Sequence, residues 1–250
     1  MLSDARKEYI LKALQKEQIV RIQDITIALN ASESTIRRDL QDLEEMGALL
    51  RIHGGAKSIS PLKLEHDMLE KSSKNTQEKI DIAKYAAETV KNDDVVYIDA
   101  GTTTMQMLPF LKDKRITVVT NSAMHVTALL TSQIKLYIIG GPIKPTTKAI
   151  CGYQSIQQLE QYRFDKTFLG INGIHPDFGL TTADMEEAAM KKTAIRHATK
   201  SYVLADHSKF DVVKFAQVST LDDVEIICDY CPPSCKEAIL KQTTLKEITK

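Results

Sequence analysis

The chain has 250 residues, with 33 Lys and Arg against 33 Asp and Glu, so its formal charge is zero; that balance excludes a protein that grips nucleic acid through bulk positive charge, which needs many clustered cations on phosphates. At 43% apolar and 26% charged the composition lies far from that of disordered chains, and four Cys in this length do not make a disulfide framework. No apolar run approaches the ~18 residues of a spanning helix and the opening MLSDARKEYILKAL forms no uniform signal core, so a soluble cytoplasmic protein of one large or two smaller domains is expected.

The first predicted helix carries Ile10, Leu11 and Leu14 as an apolar stripe among Arg6, Lys7 and Lys12. A short extended run, Ile19 to Ile22, precedes a second helix whose apolar face is read as Ile25, Ala28 and Leu29. Asn30 and Ala31 make the turn, because Asn tolerates the left-handed conformation that ends a helix sharply. Ser32 then caps a third helix, with Ile36, Leu40 and Leu43 predicted buried and Gly47 as its stop. Two helices joined by such a turn are a helix-turn-helix candidate. The run LLRIHGGAK alternates apolar and polar residues and then turns on Gly54 and Gly55, which adds a β-hairpin wing.

The start of a recognition helix faces base edges in the major groove, so Ser34, Thr35 and Arg38 are candidates for base or phosphate contact. Ser32 sits at the helix N-terminus, which favours phosphate. Arg37 has two targets within reach, a backbone phosphate or a guanine edge. On the wing, Arg51, His53 and Lys57 flank a turn suited to the minor groove or the phosphate chain. Asp39 is read as orienting an arginine. The competing reading of Arg37, Arg38 and Asp39 is a solvated helix face with local ion pairs worth ~0.2–0.5 kcal/mol each, and the wing weighs against it. The segment SESTIRRDLQDLEEMGALLRIHGGA resembles the N-terminal part of the DeoR family of bacterial sugar-metabolism regulators, in which a Ser-x-x-Thr-[Ile/Val]-Arg-Arg-Asp-Leu recognition helix runs into an Arg-x-His-Gly-Gly-Ala wing. The matches are Ser32, Thr35, Ile36, Arg37, Arg38, Asp39, Leu40, Arg51, His53, Gly54, Gly55 and Ala56. That resemblance implies double-stranded operator DNA as a partner.

Residues 58–77 have the composition of a linker, polar and charged with a Pro and adjacent Ser, so a winged helix-turn-helix domain over 1–57 and a larger domain over 78–250 are expected. In the latter, VVYIDAG, ITVVTNS, KLYIIGG, KTFLGINGI, SYVLADHS and DVEIICD alternate with helical stretches, the pattern of a mostly parallel sheet covered on both faces. YIDAGTTT leads from a strand through Gly101 into Thr102, Thr103 and Thr104 at a helix start, where backbone N–H groups and hydroxyls suit a phosphate. The turns with Asn121 and Ser122, and with Gly140 and Gly141, repeat that arrangement. In a parallel sheet such turns gather at the carboxyl ends of the strands, where open α/β sheets bind ligands, and together they fit a phosphorylated polyol or sugar. A Gly at a strand end serves a tight turn whether or not anything binds, so no single turn carries this reading. Neither a dinucleotide fingerprint nor a P-loop is present.

Residues 78–230 resemble the effector domain of the same family, similar in fold to ribose-5-phosphate isomerase and glucosamine-6-phosphate deaminase. The matches are Glu78 and Lys79, Asp99 to Thr104, Thr120 to Ser122, Gly140 and Gly141, Gly170, Asn172 and Gly173, Gly179 to Thr182, Glu186, and Ala205 to Phe210. The resemblance implies that the Thr loop and Lys209 hold the phosphate while Asp99, Asn121, Asn172 and Asp206 bond sugar hydroxyls. Lys209 suits the role on charge alone, as a compact point cation. Sugar-phosphate isomerisation needs a carboxylate base and polar groups that stabilise an enediolate. The similar isomerases place an Asp-Gly-Ala-Asp turn and a catalytic Glu where this chain has Asn172-Gly173 and Lys191-Lys192, with Glu186 and Glu187 about one turn earlier. A sensor without catalytic residues is therefore expected; an active isomerase or deaminase with a DNA-binding arm is the alternative.

Cys228, Cys231 and Cys235 form C-x2-C-x3-C, part of a metal or cluster pattern. Three thiols without a nearby His are incomplete even if Cys151 joins them, and Cys228 ends an apolar strand as a small hydrophobe; no metal and no cofactor are expected. The expected fold class is α/β: an N-terminal winged helix-turn-helix followed by a ribose-5-phosphate-isomerase-like domain with a mostly parallel sheet. The expected function is a repressor of a sugar-utilisation operon controlled by a phosphorylated sugar. Within the family the chain resembles the fructose-operon repressors, which implies fructose 1-phosphate, while other hexose or pentose phosphates fit the same residues. Paired half-sites about one helical turn apart imply a homo-oligomer, a dimer or tetramer. Residues 1–57 hold nine Lys and Arg and nine Asp and Glu, so weak non-specific DNA binding is expected, with affinity resting on a few placed contacts.

Overall fold

A computed structural model describes residues 3–46, 48–58, 62, 65, 67–130 and 132–248. The chain divides into two compact units, Met1–Asp67 and Met68–Lys250.

In the first unit α1 (Ser3–Glu17), β1 (Ile19–Arg21), α2 (Ile22–Leu29) and α3 (Glu33–Glu45) precede a hairpin of β2 (Leu49–Ile52) and β3 (Gly55–Ser58). Asn30 closes α2 in the left-handed conformation at φ 47°, and the Ser32 hydroxyl accepts the Thr35 N–H at 3.2 Å, which satisfies one of the free donors of the helix start. Ile10, Leu14, Ile25, Ile36, Leu40, Leu43 and Leu49 form the core. Two details differ from the sequence reading. The extended run is a third strand, pairing antiparallel with β3 from Ile19 opposite Lys57. The inward face of α2 consists of Ile22, Ile25 and the half-buried Leu29, which packs against the core, while Ala28 is exposed, because the helix begins at Ile22 and its inward stripe starts one turn earlier than the pattern indicated. Gly47 lies outside the described residues; α3 ends at Glu45, capped by Met46.

Gly54 takes the φ of +79° that the wing turn requires. At Gly55 the constraint is contact: an added Cβ would lie 2.1 Å from the Val20 carbonyl oxygen. Gly55→Ala is therefore expected to destabilise this unit by about 1–3 kcal/mol, read as a lower melting transition by circular dichroism.

The second unit opens with α4 (Met68–Ser73) and α5 (Thr76–Glu88), followed by β4 (Val95–Ile98), α6 (Thr102–Met105), α7 (Leu108–Leu111), β5 (Thr117–Thr120), α8 (Ala123–Leu129), β6 (Lys135–Ile138) and α9 (Tyr153–Leu159). Then come β7 (Phe164–Gly170), β8 (Gly173–His175), β9 (Gly179–Thr182), α10 (Met185–Arg196), β10 (Ala198–Ala205), a 3-10 turn (His207–Lys209), β11 (Ala216–Ser219), β12 (Glu225–Cys228), α11 (Pro233–Leu240) and β13 (Leu245–Glu247). Seven strands form one sheet in the order β13-β12-β10-β7-β4-β5-β6, and every adjacent pair is parallel. Side chains along a strand point alternately to the two faces. Val96, Ile98, Phe168, Tyr202 and Leu204 accordingly enter one core with Ile82, Ala86 and Leu111 of α5 and α7. Tyr97, Leu169, Val203 and Ile226 enter the other with Leu159, Met190, Ala194 and Ile239 of α9, α10 and α11. Both faces of the sheet are thus covered by helices. A small antiparallel sheet, β11-β9-β8, stands apart from it and was not evident in the sequence.

The linker expectation for 58–77 is corrected for its second half. Residues 68–77 carry α4 and the start of α5 within the second unit. The Met68 N–H donates to the Thr146 carbonyl, and the buried Lys79 ammonium donates to the carbonyls of Lys71 and Lys74. Polar composition hid these links because they run through the backbone.

Candidate functional site

In the first unit, the exposed side of α3 presents Ser34, Arg37, Arg38 and Gln41, with the inward side taken by Ile36, Asp39, Leu40 and Leu43. The exposed residues recur at i, i+3, i+4 and i+7, so they form one stripe. Ser32 at its head is exposed and Thr35 half-buried, and their hydroxyls lie 2.8 Å apart. Arg37 is tied back to Glu33, with contacts of 2.6 and 3.1 Å. Arg38 has no ion-pair or hydrogen-bond partner among the described residues. Asp39 does orient an arginine, but that of α1: Arg6 donates Nε to Oδ2 at 2.6 Å and Nη2 to Oδ1 at 3.0 Å. This bidentate pair fixes α3 against α1 and so sets the angle at which the stripe is presented. On the wing, His53 and Lys57 are exposed and Arg51 is half-buried, and the Arg51 N–H donates to Glu44 Oε1 at 2.9 Å, tying the hairpin to α3.

In the second unit the strand order reverses at β4. The chain goes from β4 to β5 and β6 on one side, then returns with β7 on the other. The crevice beyond the carboxyl ends of β4 and β7 is thus the topological switch point, where open α/β sheets take ligands. Asp99 follows β4 there and accepts the Gly170 N–H at 3.3 Å from the end of β7. Gly101 and Gly170 face each other, and a Cβ on either would lie 3.7–3.8 Å from the other's Cα.

Beneath this crevice runs a buried chain of charges. Lys191 of α10 donates to Asp99, both groups being almost wholly buried. Burial pushes the Asp99 carboxyl up, against the pull of Lys191. One turn earlier on α10, Glu187 is buried and accepts from Lys144 at 3.0 Å and Thr147 at 2.8 Å. Burial raises the Glu187 pKa, but Lys191 and Lys144 outweigh it and hold the carboxyl below its usual range. Lys144 also reaches Asp184, the N-cap of α10, at 2.9 Å. Glu186, by contrast, is exposed, with Cys151 Sγ 3.7 Å away; burial pushes that thiol up to about 12, so it is protonated. Sequence reading missed the inward roles of Lys191 and Glu187; the helical spacing of four, matched to buried Asp99 and Lys144, is the signal that would have found them.

The expected effector residues divide into two groups. Thr102 and Thr103 are buried, with hydroxyls unpartnered among the described residues, while the Thr104 hydroxyl donates to the carbonyls of Asp99 and Gly101. Asn121, expected to bond sugar hydroxyls, has its amide committed to the backbone: Oδ1 accepts the Ala100 N–H at 2.9 Å and Nδ2 donates to the Ile150 carbonyl at 3.2 Å. It therefore pins the Thr loop in place. Ser122 is fully buried and its hydroxyl has no partner among the described residues. Gly140 is sewn to α9, its N–H donating to Gln158 and its carbonyl accepting from Ser155. Gly141 at φ 141° leaves no room for a side chain beside the Ser155 hydroxyl. These two glycines serve the turn. Asn172 accepts from Thr182 at 2.7 Å. Asp206 Oδ1 accepts from Asn75 and Ser208, whereas its buried Oδ2 has no hydrogen-bond partner among the described residues and lies 4.0 Å from Lys209 Nζ. Burial raises the Asp206 pKa, but Lys209, Ser208 and Asn75 together hold it below the usual range.

Next to Lys209, Asp229 of the β12 end holds His207 through its N–H at 2.7 Å and Nδ1 at 2.6 Å. That bond raises the His207 pKa, so its stabilisation is full below the unfolded value of about 6.5 and fades as pH rises through the folded one. A small fall in melting temperature between pH 6.5 and 8 is expected, absent in Asp229→Asn. Cys231 and Cys235 are buried with Sγ atoms 4.0 Å apart, and Cys151 lies beside Glu186 instead of joining them.

No helix among the described residues is long and apolar enough to cross a membrane. The DeoR-like helix-turn-helix domain matches residues 6–61 and the DeoR C-terminal sensor domain residues 74–230. A protein of Bacillus subtilis (strain 168) named as the uncharacterized HTH-type transcriptional regulator FruR is 49% identical over 228 residues, 91% of each chain. The lactose phosphotransferase system repressor of Lactococcus lactis subsp. lactis is 37% identical over 211 residues, 82% of each chain. Among solved structures, ribose 5-phosphate isomerase A from Methanocaldococcus jannaschii superposes with TM-score 0.41 at 19% identity, over 54% of this chain and 55% of that one; no property of this chain rests on that superposition. With a winged helix in one unit, a parallel-sheet crevice in the other and both domain matches in register with them, the chain belongs to the DeoR family of transcriptional regulators.

Proposed function

We propose that the protein represses a sugar-utilisation operon in the cytoplasm, binding operator DNA through α3 and the wing and responding to a phosphorylated sugar in the β4/β7 crevice. The observation that carries this reading is the pairing, in one chain, of the outward stripe with its unpartnered Arg38 and a switch-point crevice lined by Asp99 and the unpartnered Thr102 and Thr103. Ser34, Arg37 and Arg38 contact bases and phosphates in the major groove, Ser32 and Thr35 a phosphate at the helix start, and Arg51, His53 and Lys57 the adjacent backbone or minor groove. In the crevice Thr102, Thr103 and Lys209 hold the phosphate, and Asp99, Ser122, Asn172 and Asp206 face the sugar, with Asn121 as a positioning residue. Fructose 1-phosphate is the first candidate, since the most similar relative named above is a FruR. The protein acts as a homo-oligomer, whose two-fold pairs match paired half-sites.

The ligand must prefer one state of the protein, because equal affinity for both shifts nothing. A thermal-shift series with sugar phosphates tests the sensor: a ligand at 100 times its Kd should stabilise by about 2.7 kcal/mol, and no shift with any of them would overturn the reading.

One observation favours the enzyme alternative, the buried Glu187 near the crevice. Both nearby carboxylates are already ion-paired with lysines, however, Asp99 with Lys191 and Glu187 with Lys144, which makes Glu187 a weak base. Sugar phosphates are therefore bound and returned unchanged; conversion detected by NMR in a single-turnover incubation would contradict this.

A further inference from the structure

A second concavity opens at the other end of α10. It has a volume of about 440 Å³ and is lined by Lys192, Ile195 and Arg196 of α10, by Ala198, Thr199 and Ser201 at the start of β10, and by Gln217, Val218, Ser219, Thr220 and Asp223. Pockets for small metabolites begin at about 300 Å³, so the space suffices for one. The β4/β7 crevice sits past the opposite end of the strands, beyond Asp206 in the case of β10. Five to eight residues at ~3.3 Å each separate the two places by about 15–25 Å along the sheet.

The chemistry of the walls is asymmetric. The wall from α10 brings two cations, Lys192 and Arg196, neither ion-paired among the described residues. The wall from β11 and the turn after it brings Gln217, whose Nε2 donates to the Phe178 carbonyl at 3.2 Å, leaving its carbonyl oxygen as an acceptor, and Asp223. Ile195, Ala198 and Val218 supply the apolar part. Between the walls stands Ser201, a polar residue only 6% exposed whose hydroxyl has no hydrogen-bond partner among the described residues. An unpartnered hydroxyl in a cavity wall is open to a hydrogen bond from whatever enters, and Ser201 belongs to the lining of this cavity.

We propose that this groove is a second anion-binding site, which takes a small phosphorylated metabolite carrying free hydroxyls. The phosphate meets Lys192 and Arg196, with Arg196 offering the planar fork that suits phosphate oxygens. The Ser201 hydroxyl completes the phosphate's hydrogen bonds, and the ligand's hydroxyls donate to Gln217 and Asp223. The site shares α10 with the buried charges at the crevice: Asp184, Glu187 and Lys191 occupy its first two turns, Lys192 and Arg196 its last. A ligand in the groove and one in the crevice therefore rest on the same helix.

The test is a titration of the full chain with inorganic phosphate at constant ionic strength set by sodium chloride, followed by amide chemical shifts. Wild type, Lys192→Gln plus Arg196→Gln, and Lys209→Ala are compared. Both groove cations are exposed, so the double variant is expected to fold; Ser201→Ala supplies a second, milder variant. The expected result is two sets of responding amides. The set around α10's last turn, β10's start and β11 weakens by about tenfold or more in the double variant and persists in Lys209→Ala, whereas the set around Thr102 and Lys209 behaves in the opposite way. Absence of the Lys209 set from the wild-type response, with the groove set present, would overturn the crevice assignment and leave the groove standing. Groove amides that do not respond to phosphate, that respond equally to chloride, or that respond identically in wild type and the double variant would overturn the groove.

Discussion

Replacing Lys191 with Met is expected to cost the second unit about 3–5 kcal/mol, because it strands the Asp99 carboxylate in a buried position. The two groups are 2–4% exposed and bonded to each other, and burial already pushes the Asp99 carboxyl up. Without its lysine, Asp99 must take a proton or draw water into the core between β4 and α10. Removing both charges is a different perturbation. Asp99→Asn with Lys191→Met removes both charges of the pair and leaves Glu187 held by Lys144, and the double variant should recover part of the lost stability, since replacing a buried pair by neutral groups is often close to neutral. Equilibrium denaturation of the three variants gives the coupling energy directly. The double variant should still fail to answer a sugar phosphate, because Asp99 stands at the crevice and its charge is gone. Stability and response are thereby separated: recovery of both would remove Asp99 from the ligand site.

The second large effect concerns operator DNA. Arg37→Ala plus Arg38→Ala is expected to weaken binding about 100-fold, on the order of 1–3 kcal/mol for each well-placed contact. The two arginines should not contribute alike. Arg38 is unpartnered among the described residues, while Arg37 must first give up Glu33, so Arg38→Ala alone should account for the larger share. Glu33→Gln, which frees Arg37, should tighten binding by a few fold. Fluorescence anisotropy with a fragment selected from a random-sequence pool, at one fixed salt concentration, compares wild type, each single arginine variant, the double variant and Glu33→Gln. Equal losses for the two arginines, or no loss for the pair, would move the contact face away from the outward stripe of α3.

Much of this architecture was legible in the sequence where one residue type answers one local requirement. Asn30 ends α2 in the left-handed conformation, Ser32 caps α3, and the apolar runs are strands β4 to β7, β10 and β12. Those features depend on neighbours a few residues apart. What the sequence concealed depends on contacts between distant positions. The antiparallel sheet of β8, β9 and β11 joins residues near 180 to residues near 217, and β13 was hidden in a polar C-terminal stretch. The candidate crevice divides along the same line. Its place, at the carboxyl ends of the strands, follows from the βα alternation. The individual assignments do not, because an Asn beside a strand end can face a ligand or staple a loop with the same local sequence. Asn121 staples, between Ala100 and Ile150, and Gly140 serves α9. Lys191 read as a departure from a catalytic Glu, and in the folded chain it is the counter-ion of Asp99.

Neutral net charge takes on a narrower meaning in this light. Arg6 and Lys7 are paired with carboxylates within the first unit and Arg37 must first be freed from Glu33, so DNA affinity rests on few cations, and strong sequence-indifferent retention at physiological salt is not expected. The most direct measurement of the central claim is operator affinity with and without fructose 1-phosphate, or another sugar phosphate that shifts the melting transition, with the sugar phosphate quantified by NMR before and after. Operator Kd is expected to change at least tenfold, with the sugar phosphate recovered unchanged. An operator Kd unmoved by every sugar phosphate that binds, or a sugar phosphate consumed in the mixture, would contradict it.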